Sequence, residues 1–297
     1  MLKYTWKIMT FAVLLLTISG WAMAGNLEPP SGPAPTMKSL QEIYDKVAIG
    51  TEITSLPRTI YSSGFYYITQ DLTCPSSSNC ITIAADNVTL DLMGFSLIGP
   101  GGTGSYYNGV RMFGRTNVEI RNGTVMNFPD SGIYVNGGEG LRIINVRAVS
   151  NERYGFFVYS KGNLIKDCTA LSNRLHGFYI GEGSTVTGNT AHDNISHGIG
   201  VLWGSTVSGN TAFGNRSNGI SAGSGSTVIG NTAYDNSGHG IYALTGSTVI
   251  GNTTNNNSDH GIFLFGNNLA DQNTAINNAQ GNINSCPTCT IGTNHAP

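Results

Sequence analysis

Between Gly183 and Gly266 the chain writes nearly the same 21 letters four times: GSTVTGNTAHDNISHGIGVLW, GSTVSGNTAFGNRSNGISAGS, GSTVIGNTAYDNSGHGIYALT and GSTVIGNTTNNNSDHGIFLFG. A strict period of this length signals a stacked architecture. Aligned on the Gly of the HGI step, Gly109, Gly132, Gly155, Gly177, Gly198, Gly219, Gly240 and Gly261 form one column. Its spacing is 23, 23 and 22 residues, then settles at 21. Such a unit is too short for a strand–helix–strand crossover, which needs roughly 30 residues. Its short runs alternate instead, as in Thr185-Val186-Thr187 and Gly198-Ile199-Gly200-Val201. Runs of period two bounded by Gly and Asn are strands and turns. Two or three strands per unit, wound in one direction, make an all-β solenoid: a single-stranded parallel β-helix. Its coils pair through backbone hydrogen bonds about 4.8 Å apart, and stability comes from stacking.

Columns follow from the period. Val186, Val207, Val228 and Val249 are expected inside, as are Ile199, Ile220, Ile241 and Ile262, with Phe156 and Phe178 in earlier coils. Asn151, Asn173, Asn194, Asn215, Asn236, Asn257 and Asn278 form one polar column, and Asn189, Asn210, Asn231, Asn252 and Asn273 a second. Stacked amides hydrogen-bond along a ladder, and Asn tolerates the left-handed backbone of tight turns. Cys168 stands in the slot of Asn189 one coil earlier, which marks it as structural and buried.

The chain ahead of the repeats reads differently. Lys3 and Lys7, the apolar run Ile8–Ile18 and the Ala22-Met23-Ala24 site predict a signal peptide over 1–24, too short to span a membrane. Residues 25–57 hold a Pro-rich linker and a helix over Met37–Val47, N-capped by Thr36, that covers the first coil. The β-helix is expected over 58–285, with a tail at 286–297 carrying the CxxC. Loss of the leader leaves 13 basic residues against 17 acidic ones, a balance that argues against nucleic acid as a partner. In an exported chain, Cys74 with Cys80 and Cys286 with Cys289 are expected to form disulfides. The expected location is secreted, periplasmic or at a bacterial cell surface. The oligomeric state is left open.

Residues 81–99, ITIAADNVTLDLMGFSLIG, resemble the opening coil of secreted bacterial right-handed parallel β-helix proteins of the pectate-lyase-like superfamily. The GIYA and GNTAYDN steps resemble repeats shared by carbohydrate-active β-helices and by the periplasmic accessory protein of nitrous-oxide reductase maturation. The likeness covers about residues 58–285 and implies the right-handed form of the fold. The matching residues build coils and carry no catalytic set. Gly238-His239-Gly240 is similar to a step of pectin-degrading hydrolases, but that family's Asn-Thr-Asp and Asp-Asp partners are missing from the chain. Glycoside hydrolysis needs two carboxylates about 5 to 9.5 Å apart. Those after residue 175 (Glu182, Asp193, Asp235, Asp259 and Asp271) share no column in neighbouring coils.

Coils 105–180 hold nine of the 15 basic residues and the longer 22- and 23-residue units. Alternation points Arg111, Tyr134, Phe157 and Tyr179 outward in one column, with Tyr159 two residues beyond Phe157. On the other strand it points out Arg121 with Lys166, Arg142 with Glu119, and Arg147. Exposed aromatics stack on sugar rings and Arg pairs with carboxylates. With Tyr154, these residues make the expected binding face for an acidic polysaccharide. The alternatives are a lyase or epimerase on the same face, a structural or adhesin role at a surface, and a copper accessory role. Under the lyase reading Arg or Ca²⁺ would neutralise the uronate and Arg, Lys, Tyr or His would take the proton; no other cofactor is expected. The chain lacks the Asp cluster of pectate lyases and the Asp-Pro-His step of mannuronan epimerases. The copper reading rests on His176, His197, His239 and His260, which share the slot before the aligned Gly. Asn218 fills that slot between them, so a turn position that accepts several polar residues explains the column without a metal.

Overall fold

The computed structural model of the protein describes residues 50–104, 106–284 and 286–297. The expected signal peptide, Pro-rich linker and capping helix lie outside the described residues, except for the last stretch before residue 58. Among the described residues there is no helix, and so none long and apolar enough to cross a membrane. Short strands pair in parallel throughout and wind into a β-solenoid.

Each coil lays one strand on a ten-strand sheet that runs from Arg58–Ile60 to Ile262–Leu264. It then lays two on a twenty-strand sheet. In the repeats these two are Thr185–Thr187 and Thr190–His192, paired with Thr206–Ser208 and Thr211–Phe213 of the next coil. In two earlier coils the pair fuses into Glu119–Met126 and Arg142–Val149. Pairing extends past 58–285 at both ends. Thr51–Glu52 joins Gly64–Tyr67, and Thr290–Ile291 of the CxxC segment joins Leu269–Asp271.

Register places residues one period apart side by side: Ile199 on Ile220 on Ile241 on Ile262, and Val186 on Val207 on Val228 on Val249. All eight are fully buried. At roughly 2 kcal/mol per buried aliphatic side chain, each coil draws its stability from these positions and from an inner Ala such as Ala191 or Ala212. Phe156 and Phe178 fill the same interior with parallel rings 4.6 Å apart.

Both Asn columns are buried ladders. Asn194 donates from its backbone N and its Nδ2 to Oδ1 of Asn215, at 3.1 and 3.0 Å. The same Nδ2 donates to Ala170 O at 3.1 Å. Every polar atom turned inward at the corner therefore has a partner, which is the condition for burying it. The left-handed residues are not the ladder Asn but those just before them: Gly188, Gly209, Gly230 and Gly251 in one column, Ser172, Asp193, Gly214 and Asp235 in the other. The aligned Gly has a different cause. A Cβ on Gly198 would lie 2.7 Å from both Asn215 Nδ2 and Gly219 O, so only a residue without one lets the ladder close.

Cys168 replaces a ladder Asn as expected. Its backbone N donates to Asn189 Oδ1 at 2.8 Å. Burial pushes its thiol up to about 12, so it stays protonated and inert. Cys74–Cys80 and Cys286–Cys289 are disulfide-bonded.

Candidate functional site

The period-two alternation that buries Phe156 and Val158 turns Phe157 and Tyr159 outward on the ten-strand sheet. Register then stacks Arg111, Tyr134, Phe157 and Tyr179 in one outer column, continued by Gly200 and Ser221. The rings lie face to face: Tyr134 on Phe157 at 4.9 Å and 10°, Phe157 on Tyr179 at 5.4 Å and 9°. Tyr154, from the turn entering this strand, packs 5.0 Å from Phe157 and 6.0 Å from Tyr179. Arg111 lies 4.4 Å over the Phe113 ring, which leans on Tyr134. Beyond residue 200 the column loses its rings until Tyr242 and Phe263.

Along one side of this strip is a cavity of about 320 Å³. Its walls include Tyr159 and Trp203, which are 50% and 61% exposed. Gly137, Gly138 and Gly181 keep it open, and Lys161 Nζ meets Glu182 Oε1 across it at 2.6 Å. The sequence reading missed Trp203 and Glu182. Trp203 sits in the first repeat, among coils read as scaffold, and only the coil geometry brings it beside Tyr159.

Asp130 was missed as well. It lies in the turn before Ile133, 4% exposed, with Arg153 Nη1 3.5 Å away and the Ser131 hydroxyl donating at 3.1 Å. Burial raises its carboxyl above the usual range, while Arg153, Ser131 and Arg111 oppose the rise. Burial likewise raises the Tyr154 phenol, against Arg153, whose guanidinium lies 5.6 Å from the ring.

The remaining expected site residues lie on the twenty-strand sheet. Arg121 and Lys166 both register on Ile144, Arg142 registers on Glu119, and Arg147 on Thr124 and Thr169. The outward columns are those expected, but the single expected face divides between two sheets. Its basic half is already paired with acids. Arg121 Nε meets Asp91 Oδ2 at 2.7 Å and its Nη1 meets Glu119 Oε1 at 2.8 Å. Arg142 Nε meets Glu119 Oε2 at 2.9 Å, and Lys166 Nζ meets Asp167 Oδ2 at 3.4 Å. Arg147 makes no ion pair among the described residues.

The His column is a third ladder. The backbone N of His197 donates to His176 Nδ1 at 3.1 Å, and that of Asn218 to His197 Nδ1 at 3.2 Å. His239 N donates to Asn218 Oδ1 at 3.0 Å. An imidazole nitrogen and an amide oxygen thus fill the same acceptor role, which explains why the slot takes His or Asn. Burial, with His197 adding to it, lowers His176 to about 4, and burial lowers His197 and His239 as well.

Comparison with known proteins places this architecture. A family model of the right-handed beta helix region matches residues 76–212. No curated protein sequence matches the chain. Among solved structures, the A-module of an Azotobacter vinelandii mannuronan C-5 epimerase superposes with a TM-score of 0.55 at 16% identity, over 78% of this chain and 86% of that one. A mutant of a periplasmic alginate epimerase gives 0.57 at 14% identity, over 86% and 82%. The Agl-KA catalytic domain gives 0.52 at 13% identity, over 80% and 57%. At such identities the likeness is one of fold. The chain has the fold of a right-handed parallel β-helix built from repeats.

Proposed function

We propose that the protein binds an acidic polysaccharide outside the cytoplasm, along the outer face of the ten-strand sheet from Arg111 to Trp203. The observation that carries this reading is the strip of rings Tyr134, Phe157, Tyr154 and Tyr179, leading to a cavity walled by Tyr159 and Trp203. The faces of Tyr134, Phe157 and Tyr179 cover one another, so the strip offers a row of ring edges repeating with the coil spacing, and the exposed Tyr159 and Trp203 are the rings on which a sugar can stack; exposed large aromatics otherwise cost solubility. Arg111 borders the strip as a cation for the carboxylates. The two disulfides suit an oxidising compartment. Two of the superposed structures are named for action on mannuronan and alginate, which supports the substrate class. Arg121, Arg142 and Lys166 are left out of this surface because they lie on the other sheet and already hold acids.

One observation favours a second reading, epimerisation or β-elimination on the same strip. Asp130 is a buried carboxyl made more basic by desolvation, and Arg153 links it to Tyr154 beneath the rings. Proton abstraction beside a uronate carboxylate needs such a base and a neutralising cation.

Titration calorimetry of the chain against alginate, polygalacturonate and a neutral glucan tests both. Binding to the acidic polymers is expected, with Tyr159→Ala and Trp203→Ala each weakening it about tenfold, the worth of one lost stacking contact. Arg142→Ala is expected to leave it unchanged. No binding to any polymer, or unchanged affinity in both Tyr159→Ala and Trp203→Ala, overturns the proposal. Unsaturated or epimerised uronate in the incubated polymer, lost in Asp130→Asn, selects the second reading.

A further inference from the structure

The geometry points to a site for one divalent transition-metal ion formed by His239, Asp259 and His260 at the last step of the histidine column. One ligand atom from each of the three lies within 4.8 Å of the others. Asp259 Oδ1 is 2.9 Å from His260 Nδ1 and 3.4 Å from His239 Nδ1. An ion held by nitrogen and oxygen at about 2.0–2.1 Å in tetrahedral geometry sets its ligand atoms roughly 3.3 Å apart, so little movement is needed to take it. The three side chains are 15%, 39% and 25% exposed in the order His239, Asp259, His260: covered enough to be held and open enough for an ion to enter. Phe263 fixes both rings, with centroids 4.7 Å from His239 and 5.5 Å from His260.

Hydrogen bonding separates this pair from the other two histidines. At His176 and His197 the Nδ1 lone pair accepts the amide of the next coil, so a metal there would leave a half-buried N–H without its partner. At the last step the amide of His260 reaches His239 Nδ1 at only 3.3 Å, but it also donates to Asp259 Oδ1 at 2.9 Å. Withdrawing the His239 lone pair therefore orphans nothing. From His176 onward the residue before the slot is Leu175, Ser196, Ser217 and Gly238, and a carboxylate only at Asp259; the earlier Asp130 precedes Ser131, which offers no imidazole. Two imidazoles and one carboxylate suit zinc or copper(II) rather than calcium or magnesium, and leave a fourth position for water or an exogenous ligand.

The test is calorimetric titration of the metal-free chain with Zn²⁺ and, separately, Cu²⁺, with Ca²⁺ as the comparison ion. Uptake of one Zn²⁺ or Cu²⁺ per chain with a dissociation constant of about 10 µM or tighter is expected. It should weaken at least tenfold in both Asp259→Asn and His260→Ala, and persist in His176→Asn, which keeps an acceptor in the ladder. Asp259 is part-exposed and outside the buried ladders, so Asp259→Asn reports on the site with the fold intact, checked by circular dichroism. Zn²⁺ is also expected to raise the thermal midpoint of the wild type and not of His260→Ala. Absence of uptake, unchanged affinity in Asp259→Asn and His260→Ala, or loss of uptake in His176→Asn overturns the assignment.

Discussion

At position 176 a ring nitrogen serves where an amide oxygen serves at 218, and the two differ in their response to acid. Burial holds the His176 imidazole down to about 4, whereas an unfolded His titrates near 6.5. The folded state therefore stays neutral over a range in which the unfolded state binds a proton. Stability contributed by this residue is complete above about pH 6.5 and is lost as pH falls toward 4. His176→Asn removes the titration and keeps the acceptor. The difference in thermal midpoint between wild type and His176→Asn should shift against the wild type between neutral pH and about pH 4, measured by calorimetry in matched buffers. An equal shift in both proteins would place the acid sensitivity elsewhere. That the slot is a turn position open to several polar residues was legible in the sequence, because Asn218 stands among its histidines; its role as a hydrogen-bond acceptor shows only in the structure. Asp130 and Trp203 were not legible as site residues: one is defined by burial in a turn, the other by Tyr159 two coils away, and a linear pattern carries neither.

Among the elements, the Asn corners hold the strands in register more than the strands hold themselves, since most strands of the repeats are three residues long. Asn215 accepts two hydrogen bonds from Asn194 and donates to Ala191 O and Asn236 Oδ1, all fully buried. Asn215→Ala removes these four hydrogen bonds; Asn194 Nδ2 keeps Ala170 O and Asn236 Oδ1 keeps the backbone N of residue 215, but Asn194 N and Ala191 O lose their side-chain partner. With each unsatisfied buried group costing about 1–3 kcal/mol, and some relaxation, the variant should lose roughly 3–5 kcal/mol, read as a lower urea midpoint at unchanged slope. A loss below about 1 kcal/mol would mean that water enters the corner and the ladder is ornamental to stability. Inner and outer columns were readable in advance because period-two alternation fixes which side chains face the core. The left-handed bends were assigned one residue too late, to the ladder Asn. The sequence shows the ladder Asn beside another small or polar residue (Gly, Asp, Ser, Asn or Gln) at each corner, and only backbone geometry decides which of the two turns. The division of the site between two sheets has a similar origin. Alternation reports in or out, but not which of three strands in a coil faces a given direction.

For the whole molecule, a solenoid's stability is a sum over coils and the interfaces between neighbours, so its length is adjustable in whole units only. Removing Gly204–Ser224 joins Trp203 to Gly225 and brings Thr227–Ile229 onto Thr185–Thr187 and Ile241 onto Ile199. Val228 then stacks on Val186, Asn231 on Asn189 and Asn236 on Asn194, each replacing its like. The shortened chain should fold, give the same β-rich circular dichroism per residue and unfold cooperatively. Its stability should fall only by the share of one coil. It should also keep its affinity for the polysaccharide, because every ring from Phe113 to Trp203 is retained, and its metal uptake, because His239 through Phe263 move as a block. Removing only Gly204–Phe213 is the control. It leaves part of a coil, so the strands of the ten-strand sheet would meet those of the twenty-strand sheet, and the buried Val and Ile columns would no longer align. That variant should be insoluble or unfolded by circular dichroism. If both deletions behaved alike, the register of 21 residues would not be what organises the molecule, and the ring strip that depends on it would lose its basis.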